Sequence, residues 1–509
     1  MNKSYSTMLN SVLSNFTAIL FAVFFLFLVP ETALCKSSDT SIIAVQTTEY
    51  KDEDSLADEP ILEKKDLSSS IKALESDGIS LISIARGGLG LTVLLIIGAL
   101  LSKDRKNINW ALIAKGLFIQ IVIAVSVLKL PWVQQAVDFI SQKFVLLLSF
   151  TQNGAKFLFG SIIENTQTFG FIFAFQVLPT VIFFSALTSL LFYYGILQKV
   201  VYAFAWFMKY TLKLSGAESL SAAGNIFLGQ TESPLLVKPY ISRMTRSELL
   251  CVMTGGMATI AGGVLAAYIG FLGGNDPMLQ VFFAKHLITA SVMAAPGAIV
   301  ASKLLLPETE KFSEEMNIEK SKIGSNALEA IANGTTDGLR LAVNVAAMLL
   351  VFISMIALFN YILMNAIGEI GGINEGIQKL TNGQYNGLSL QFILGYTLAP
   401  LTWLMGVNGP DIVLVGQLLG EKSILNEFVA YVSMSQIIQA GGFANPKSIV
   451  IATYILCGFA NFASIGIQIG GIGALAPNRK SDLSKLGIYA LIGGNLASMF
   501  TATIVGILI

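Results

Sequence analysis

The sequence predicts an all-α polytopic membrane protein with eight transmembrane helices and two re-entrant hairpins. Of its 509 residues, 54% are hydrophobic and 13% are charged, whereas a soluble domain carries about 25% charged residues. Several apolar segments are long enough to cross a bilayer as helices. Two carboxylates, Glu232 and Glu427, lie in broken apolar segments. An acid at membrane depth is costly and usually faces a cavity or a partner, so these segments mark a candidate binding site.

The N-terminal region is predicted to lie outside the membrane core. Residues 1–35 resemble a signal peptide, because Lys3 precedes a short apolar core, Thr17–Val29, and a small-residue exit at Cys35. An uncleaved membrane anchor is the alternative interpretation. Residues 36–78 are acidic and lack apolar periodicity, so we expect a mostly disordered exterior segment.

The first three predicted spans are Ile79–Leu101, Trp110–Leu130 and Phe169–Leu197, the last with Pro179 inside it. The loop after the first span carries three basic residues, and positive charge marks the cytoplasmic side. Trp132–Asn165 is too polar to span. We expect it at an interface or along the bundle.

The first hairpin is predicted over Ala217–Tyr240, with its tip near Glu232. Basic residues flank this segment on both sides, so it enters and leaves on the cytoplasmic side. The fourth span, Glu248–Leu272, contains the glycine-rich break T-I-A-G-G, which starts at Thr259. Such breaks free backbone carbonyls where a cavity or an ion takes them up. The fifth span is predicted over Val281–Leu306.

The second half of the chain follows a similar plan. A long sixth helix, Ala327–Ile367, is followed by Leu388–Val407, which is interpreted as the descending arm of a second hairpin that carries Glu427. The next span, Ile449–Leu475, is interrupted at C-G-F-A-N-F-A-S-I-G. The last span, Gly487–Ile509, ends outside, and the N-terminus is also expected outside.

The two halves form a predicted inverted repeat. Glu232 is followed 27 residues later by Thr259, and Glu427 is followed 34 residues later by Asn461. The first hairpin enters from inside and the second from outside, which is typical of transporters that hold their substrate at the midplane. The predicted organisation is 1–35 signal peptide or anchor, 36–78 acidic segment, 79–215 scaffold helices, 216–306 first half of the transport core, 307–326 charged cytoplasmic loop, 327–475 second half of the core, and 476–509 loop and last helix.

The chemistry of the tips and breaks suits a neutral ligand that is rich in hydroxyls and ring nitrogens. Phe459 and Phe462 are candidates for stacking on a flat ring, although such residues often face lipid or core. Broken-helix carbonyls suit a hard cation such as Na⁺. A lone hydroxyl in a membrane helix often bonds only a neighbouring helix. The polar groups at these places are Asn225, Gln230, Thr231, Glu232, Thr259, Asn426, Glu427, Asn461 and Ser464.

Other classes of function have little support. The net charge is zero, so nothing favours nucleic-acid binding. Cys35, Cys251 and Cys457 form no metal-binding pattern, and His286 is expected to be structural rather than a proton relay. An intramembrane hydrolase would need a nucleophile with a base, and the single histidine lies far from the second break, so we expect no enzyme. Glu421 is expected to form a local pair with its neighbour, Lys422.

Five motifs carry a resemblance to a known family. They are G-N-I-F-L-G-Q-T-E-S-P-L-L-V-K-P-Y, M-T-R-S-E-L, V-M-T-G-G-M-A-T-I-A-G-G-V-L-A-A-Y, N-E-F-V-A-Y and C-G-F-A-N-F-A-S-I-G-I-Q-I-G-G-I-G-A-L-A-P-N-R. They resemble the concentrative nucleoside transporter family over Ile79–Ile509. The resemblance implies a multi-pass symporter of nucleosides in the inner (plasma) membrane, coupled to Na⁺ or H⁺, without a cofactor, and a homotrimer with eight spans and two hairpins per protomer.

The resemblance also implies the roles of individual residues. It implies that the nucleobase is contacted by Gln230, Thr231, Glu232 and Val264. It implies that the ribose is contacted by Glu427, Asn461 and Ser464, with Phe459 beside it. Sodium is implied at the side chains of Asn225 and Thr231 and at the carbonyls of Leu228, Thr259 and Ile260. Because Asn225 and Thr231 are both present, sodium is favoured over protons. A membrane sensor that binds nucleosides without transport remains the rival function.

Overall fold

The computed structural model describes residues 80–164, 172–274, 276–316, 324–381 and 383–509. The predicted signal peptide and acidic segment lie outside the described residues. The described part of the chain is all-α, as predicted. Within it, 7 helical stretches are long and apolar enough to cross a membrane. They are Leu81–Leu100, Trp110–Lys129, Phe173–Tyr193, Arg246–Gly273, Pro277–Leu305, Ala327–Gly368 and Pro477–Leu508.

The N-terminal helices match the predicted spans. The predicted third span corresponds to the stretch Phe173–Tyr193, which contains Pro179 as predicted. A new helix starts within this stretch at Leu178, and Pro179 lies in the first turn of that helix. Proline is favoured there, since its missing N–H has no helical partner in any case. The segment predicted to be too polar to span is one 29-residue helix that begins at Pro131. These helices are α1 (Leu81–Leu100), α2 (Trp110–Lys129), α3 (Pro131–Phe159), α4 (Leu178–Tyr193) and α5 (Ile196–Leu212).

The segment predicted as the first hairpin contains α6 (Gly216–Gly224) and a 3₁₀ turn, Ser233–Val237, which packs against α6. Ser215 and Glu218 form a capping box that starts α6 and satisfies two backbone N–H groups reciprocally. The Ser233 hydroxyl donates to the Ser221 carbonyl, 2.9 Å away. This bond ties the returning segment to the first arm.

The fourth span is broken where the sequence predicts. It consists of α7 (Arg246–Ala258) and α8 (Gly262–Gly273), with residues 259–261 between them in non-helical conformation. The fifth predicted span is α9 (Pro277–Leu305). Both α7 and α9 are largely buried, which places them at the centre of the bundle.

The sixth predicted helix is α10 (Ala327–Ile362). It crosses α4 closely, because a Cβ atom added at Gly334 or Gly338 would come within 2.8 Å of α4. The predicted outside loop after it contains a short helix, α11 (Ile373–Leu380).

The predicted arm of the second hairpin is wrong. The predicted arm, Leu388–Val407, contains α12 (Leu390–Leu404), which ends in a turn at Gly406 with φ +95°. The arm that leads to Glu427 is the next helix, α13 (Ile412–Ile424), and Glu427 begins α14 (Glu427–Gln439), which packs against α13. Both α12 and α13 are apolar, so hydropathy did not distinguish them, and the turn at Gly406 separates α12 from the helix that leads to Glu427.

The last two predicted spans are present, with one shifted boundary. The interrupted span consists of α15 (Pro446–Leu456) and α16 (Phe462–Leu475). The final helix, α17 (Lys480–Leu508), begins seven residues before the predicted Gly487. Its first turn is polar, and Arg479, which precedes the helix, pairs with Asp482 in that turn at 2.9 Å.

The core of the described bundle forms where α7, α9 and α17 pack together. Gln120 on α2 reaches into it and donates to the Met293 carbonyl of α9, at 2.9 Å, and to the Thr501 hydroxyl of α17, at 3.1 Å. At another edge, Arg86 of α1 donates to the carbonyls of Trp403 and Val407, each at 2.6 Å. These long-range bonds fix the helices that surround the hairpins.

Candidate functional site

The two interrupted spans touch at their breaks. Gly458, just after α15, has φ +112°, a conformation that favours glycine. A Cβ atom at this position would lie 2.6 Å from the carbonyl oxygen of Ala258, the last residue of α7. The close approach of these two backbones brings the ends of four half-helices to one place.

The tip of the first hairpin packs onto this junction. The Gln230 amide lies 3.2 Å from the Ser464 hydroxyl near the start of α16. A Cβ atom at Gly256 would lie 2.9 Å from Gln230, and one at Gly471 would lie 2.9 Å from Thr231. The glycines of α7 and α16 therefore make room for the tip.

Glu232 is held at the tip by its own turn. Its Oε2 atom accepts from the backbone N–H of Gly229, 3.2 Å away. Glu232 and Thr231 are exposed, whereas Gln230 is buried. The Glu232 carboxylate therefore keeps most of its acceptor capacity for a ligand.

Glu427 lies at the N-terminus of α14 and is almost completely buried. Its Oε2 accepts from the Asn461 amide at 2.8 Å, and its Oε1 accepts from the Tyr268 hydroxyl at 3.0 Å. The start of a helix also favours a negative charge. Asn461 and Asn426 cap α16 and α14, each with a side-chain oxygen 2.9 Å from a backbone N–H.

The apolar candidates separate into two groups. Val264 and Phe459 are buried close to the breaks. Val264 lies one helical turn before Tyr268, so the two share a face of α8. Phe462 is 54% exposed, so stacking by Phe462 inside the site gains no support from its position.

Four of the five predicted sodium ligands, Asn225, Leu228, Thr259 and Ile260, offer an oxygen without a protein partner within the described ranges. Both amide atoms of Asn225 are buried and lack a hydrogen-bond partner. Among the described residues, no backbone N–H donates to the carbonyls of Leu228, Thr259 or Ile260. The Thr259 hydroxyl is used, since it donates to the Gly255 carbonyl at 2.9 Å. A buried amide and free carbonyls fit a hard cation, whereas no group of three or more His, Cys, Asp or Glu residues occurs in the described part of the chain.

Sequence reasoning missed two residues of this region. Tyr268 was not a candidate, although it ends the quoted motif G-G-V-L-A-A-Y. Gln468 of α16 is buried and donates to the Met253 carbonyl at 2.9 Å, and its Oε1 atom lacks a partner. A glutamine inside an apolar helix is a signal that could have identified it.

The predicted Glu421–Lys422 pair is wrong. Glu421 accepts from the Gln417 amide at 3.1 Å, whereas Lys422 bonds to α15 and α17. Residues that are adjacent in a helix point in different directions and do not face each other. His286 is buried, with its Nδ1 atom 3.1 Å from the Tyr454 hydroxyl, which agrees with a structural role.

A cavity of about 400 Å³ lies away from these residues, among α3, α4 and α8. Its polar lining includes Thr151, Gln152 and Gln176. None of the predicted site residues lines it, so it is a separate feature.

A polar junction at the breaks of two interrupted apolar helices is typical of a secondary transporter. The comparisons with known proteins agree. Family models described as the N-terminus and the C-terminus of Na⁺ dependent nucleoside transporters match residues 89–162 and 286–506, and a model described as nucleoside recognition matches residues 174–275. The chain belongs to the concentrative nucleoside transporter family. This is a family of transporters, which supports the prediction that the protein is not an enzyme.

Relatives resemble the chain over most of its length. An uncharacterized transporter of Haemophilus influenzae is 41% identical over 84% of this chain and 98% of its own. The sodium/nucleoside cotransporter 1 of Rattus norvegicus is 40% identical over 82% of this chain, which spans 63% of that relative.

Solved structures of a similar protein, CNTnw, share the fold. Its inward-facing substrate-bound state is 37% identical, has a TM-score of 0.75 and matches 83% of this chain and 98% of CNTnw. An outward-facing state of a CNTnw variant is 36% identical and has a TM-score of 0.74. It matches 84% of this chain and 98% of its own chain.

Proposed function

We propose that this protein imports nucleosides across the inner (plasma) membrane by symport with sodium. The observation that carries the proposal is the contact between Gln230 and Ser464, 3.2 Å apart. It joins the hairpin tip implied on the nucleobase side to the broken helix implied on the ribose side. One small ligand with a ring and hydroxyls can therefore reach both.

The nucleoside lies between these two halves. Gln230, Thr231 and Glu232 meet the nucleobase with amide, hydroxyl and carboxylate groups, and Val264 provides an apolar wall. Glu427, Asn461 and Ser464 meet the ribose, and Phe459 lies beside it. Each Glu427 oxygen accepts one protein donor and has acceptor capacity left for ribose hydroxyls.

Sodium binds beside the first hairpin at the side chains of Asn225 and Thr231 and the carbonyls of Leu228, Thr259 and Ile260. The unpartnered amide of Asn225 supports this assignment. Binding orders the hairpin tip and so raises the affinity for nucleoside, and nucleoside raises the affinity for sodium by the same factor.

Transport proceeds by alternating access in a homotrimer. The α15–α16 pair forms the eighth span, the hairpins are re-entrant, and both termini lie outside. The hairpins and broken helices, within 216–306 and 327–475, move against the scaffold of 79–215. Inward- and outward-facing states of CNTnw support this movement, and the apolar, largely exposed surface of α10 is available to lipid and to partner protomers.

The first test is uptake of radiolabelled uridine and adenosine into proteoliposomes with an inward sodium gradient, a proton gradient, or neither. Concentrative uptake that requires sodium supports the proposal. Uptake that is driven by protons alone would support the assigned nucleoside site and contradict the assigned sodium site. Measurable binding without uptake favours the rival function, a membrane sensor.

Substitution of the two site carboxylates tests the residue assignment. Glu232→Gln and Glu427→Gln should each abolish measurable uptake while expression is retained, because hydrogen bonds to charged groups contribute about 1.5–3 kcal/mol each. Glu375→Gln on α11 is the matched control, since Glu375 is exposed and outside the site. Unimpaired uptake in both site variants would contradict the assignment.

A further inference from the structure

Lys422 is a fully buried lysine on the arm of the second hairpin that leads to Glu427. Its ammonium group donates to the carbonyl of Ile455 at 2.8 Å, to the hydroxyl of Ser498 at 2.9 Å and to the carbonyl of Cys457 at 3.4 Å. All three partners are neutral oxygens. A free cation would be held by the same kind of oxygens.

This arrangement differs from that of another buried ammonium group, that of Lys303. Lys303 on α9 pairs with the carboxylates of Glu218 and Glu308, as expected because a buried charge is costly unless it is paired. Lys422 makes no such pair among the described residues, and its neighbour Glu421 bonds to Gln417 instead. Its charge is therefore stabilised by the dipoles of these neutral oxygens and, without direct contact, by the carboxylate of Glu427.

The carbonyls that hold Lys422 stand at the second helix break. α15 ends at Leu456, so Ile455 and Cys457 flank its last residue. Carbonyls at the end of a helix lack helical partners and carry partial negative charge. The ammonium group therefore satisfies the end of this half-helix.

The first break also has carbonyls at a half-helix end, but no lysine in the described part of the chain binds them. α7 ends at Ala258, and the free carbonyls of Thr259 and Ile260 follow. There the preceding hairpin contributes Asn225, whose buried amide lacks a protein partner. Asn225 lies beside the last turn of α7, because a Cβ atom added at Gly255 would come within 2.7 Å of its Nδ2 atom. A hairpin side chain therefore lies near a half-helix end at both breaks: a neutral amide at the first and a cation at the second.

We propose that the ammonium group of Lys422 occupies, at the second break, the position that corresponds to the sodium site at the first break. Only the first break then binds a free cation. The inference rests on the proposed sodium-coupled function and adds to it. It predicts that one sodium ion accompanies each nucleoside, because the ammonium group of Lys422 already occupies the three oxygens at the second break and leaves no room for an ion. These oxygens, from Ile455, Cys457 and Ser498, are called the second cage.

The test compares thermal unfolding of the purified full-length protein in NaCl and in choline chloride of equal ionic strength. Lys422→Ala removes the ammonium group and leaves room among the three oxygens. Its melting temperature should fall in choline chloride, and NaCl should raise it by more than NaCl raises that of the wild type. In uptake, the Hill coefficient for sodium should rise from about one towards two, its limit for two sites.

Lys422→Met is the matched control, because its side chain fills the space without a charge. It should have a lowered melting temperature in both salts, with the same sodium response as the wild type. If the melting temperature of Lys422→Ala falls by the same amount in both salts, Lys422 has only a structural role and the inference is overturned. This comparison decides the inference even if the wild type shows no sodium-dependent uptake, which would instead defeat the proposed function.

A second variant covers the case in which Lys422→Ala does not fold. Asn225→Ala keeps Lys422 in place and removes the proposed sodium ligand. All stabilisation by sodium should then disappear, because Lys422 still occupies the oxygens at the second break and no other site for a free cation is left. A surviving sodium response would reveal another free-cation site and contradict the inference.

Discussion

At the scale of single residues, Glu427 holds three helices together at the site. It begins α14, and its two carboxylate oxygens accept from Tyr268 on α8 and from Asn461 at the start of α16. A buried carboxylate needs such donors because its desolvation is costly. The donors also fix the direction in which the remaining acceptor positions point.

Tyr268→Phe tests this positioning. The change removes one donor to Glu427 and leaves the ring, which stacks on Tyr431 with centroids 4.1 Å apart. Because a hydrogen bond to a charged group contributes about 1.5–3 kcal/mol, we expect KM for nucleoside to rise by about tenfold or more. Uptake kinetics in proteoliposomes measure the change.

Tyr431→Phe is the control for Tyr268→Phe. Its hydroxyl donates to the Thr453 carbonyl at 3.2 Å and does not touch Glu427. It should lower the free energy of unfolding by about 1 kcal/mol and leave KM unchanged. An unchanged KM in Tyr268→Phe would show that Glu427 does not depend on this donor.

At the scale of helices, the contact between the two breaks depends on Gly458. Alanine there would have an unfavourable positive φ, which costs about 1–2 kcal/mol, and its Cβ would clash with the Ala258 carbonyl. We expect Gly458→Ala to lower the melting temperature and to reduce uptake strongly.

Gly466→Ala provides the comparison on the neighbouring helix. Gly466 lies inside α16 with nothing within 4 Å of an added Cβ atom. Alanine is favoured over glycine within a helix by about 0.5–1 kcal/mol, so this variant should be as stable as the wild type or slightly more stable. Equal stability of both variants would refute the close contact of the breaks.

A buried ion pair links the first hairpin to α9. Lys303 pairs with Glu218 of α6 and donates to the Ser247 hydroxyl of α7 at 2.9 Å. Lys303→Met leaves Glu218 buried without its partner, which should cost about 3–5 kcal/mol of folding free energy. The double variant with Glu218→Gln should recover part of this loss.

Thermal unfolding of the two single variants and the double variant measures the coupling. The exposed pair of Asp337 and Arg340, 3.9 Å apart, is the control, since Asp337→Asn should change stability by less than about 1 kcal/mol. Additive effects of Lys303→Met and Glu218→Gln would mean that the pair does not tie the hairpin to α9.

At the scale of the whole molecule, the surface of several helices is apolar. α10 and α1 expose large hydrophobic side chains such as Leu350 and Leu81, whereas α9 and α17 are mostly buried. Apolar surface of this extent suits lipid or neighbouring protomers. The molecule therefore presents a membrane-facing exterior around a buried, polar junction.

The orientation of this molecule in the membrane is tested by cysteine labelling in intact cells. In a Cys35→Ser background, Lys379→Cys on α11 should react with a membrane-impermeant maleimide, because the loop around it is predicted outside. Glu314→Cys in the charged loop should react only after permeabilisation. Cys251 and Cys457 are buried, so they give little background. The reverse pattern would invert the predicted topology.

Sequence alone determined the features that depend on near neighbours. Hydropathy located the spans, and the segments T-I-A-G-G after Ala258 and C-G-F-A-N-F-A-S-I-G after Leu456 are recognisable as breaks from the sequence. The identity of the polar residues at the tips also came from sequence. These features are local, because helix starts and breaks are set by residues within one or two turns.

Tertiary structure decided which of these features meet. The contact of Gln230 with Ser464 and the bond from Tyr268 to Glu427 join residues far apart in the chain. Which oxygens bind Lys422 also depends on packing. Apolar periodicity shows that a helix buries a face but does not name its partner, so these contacts emerge only when the helices pack together.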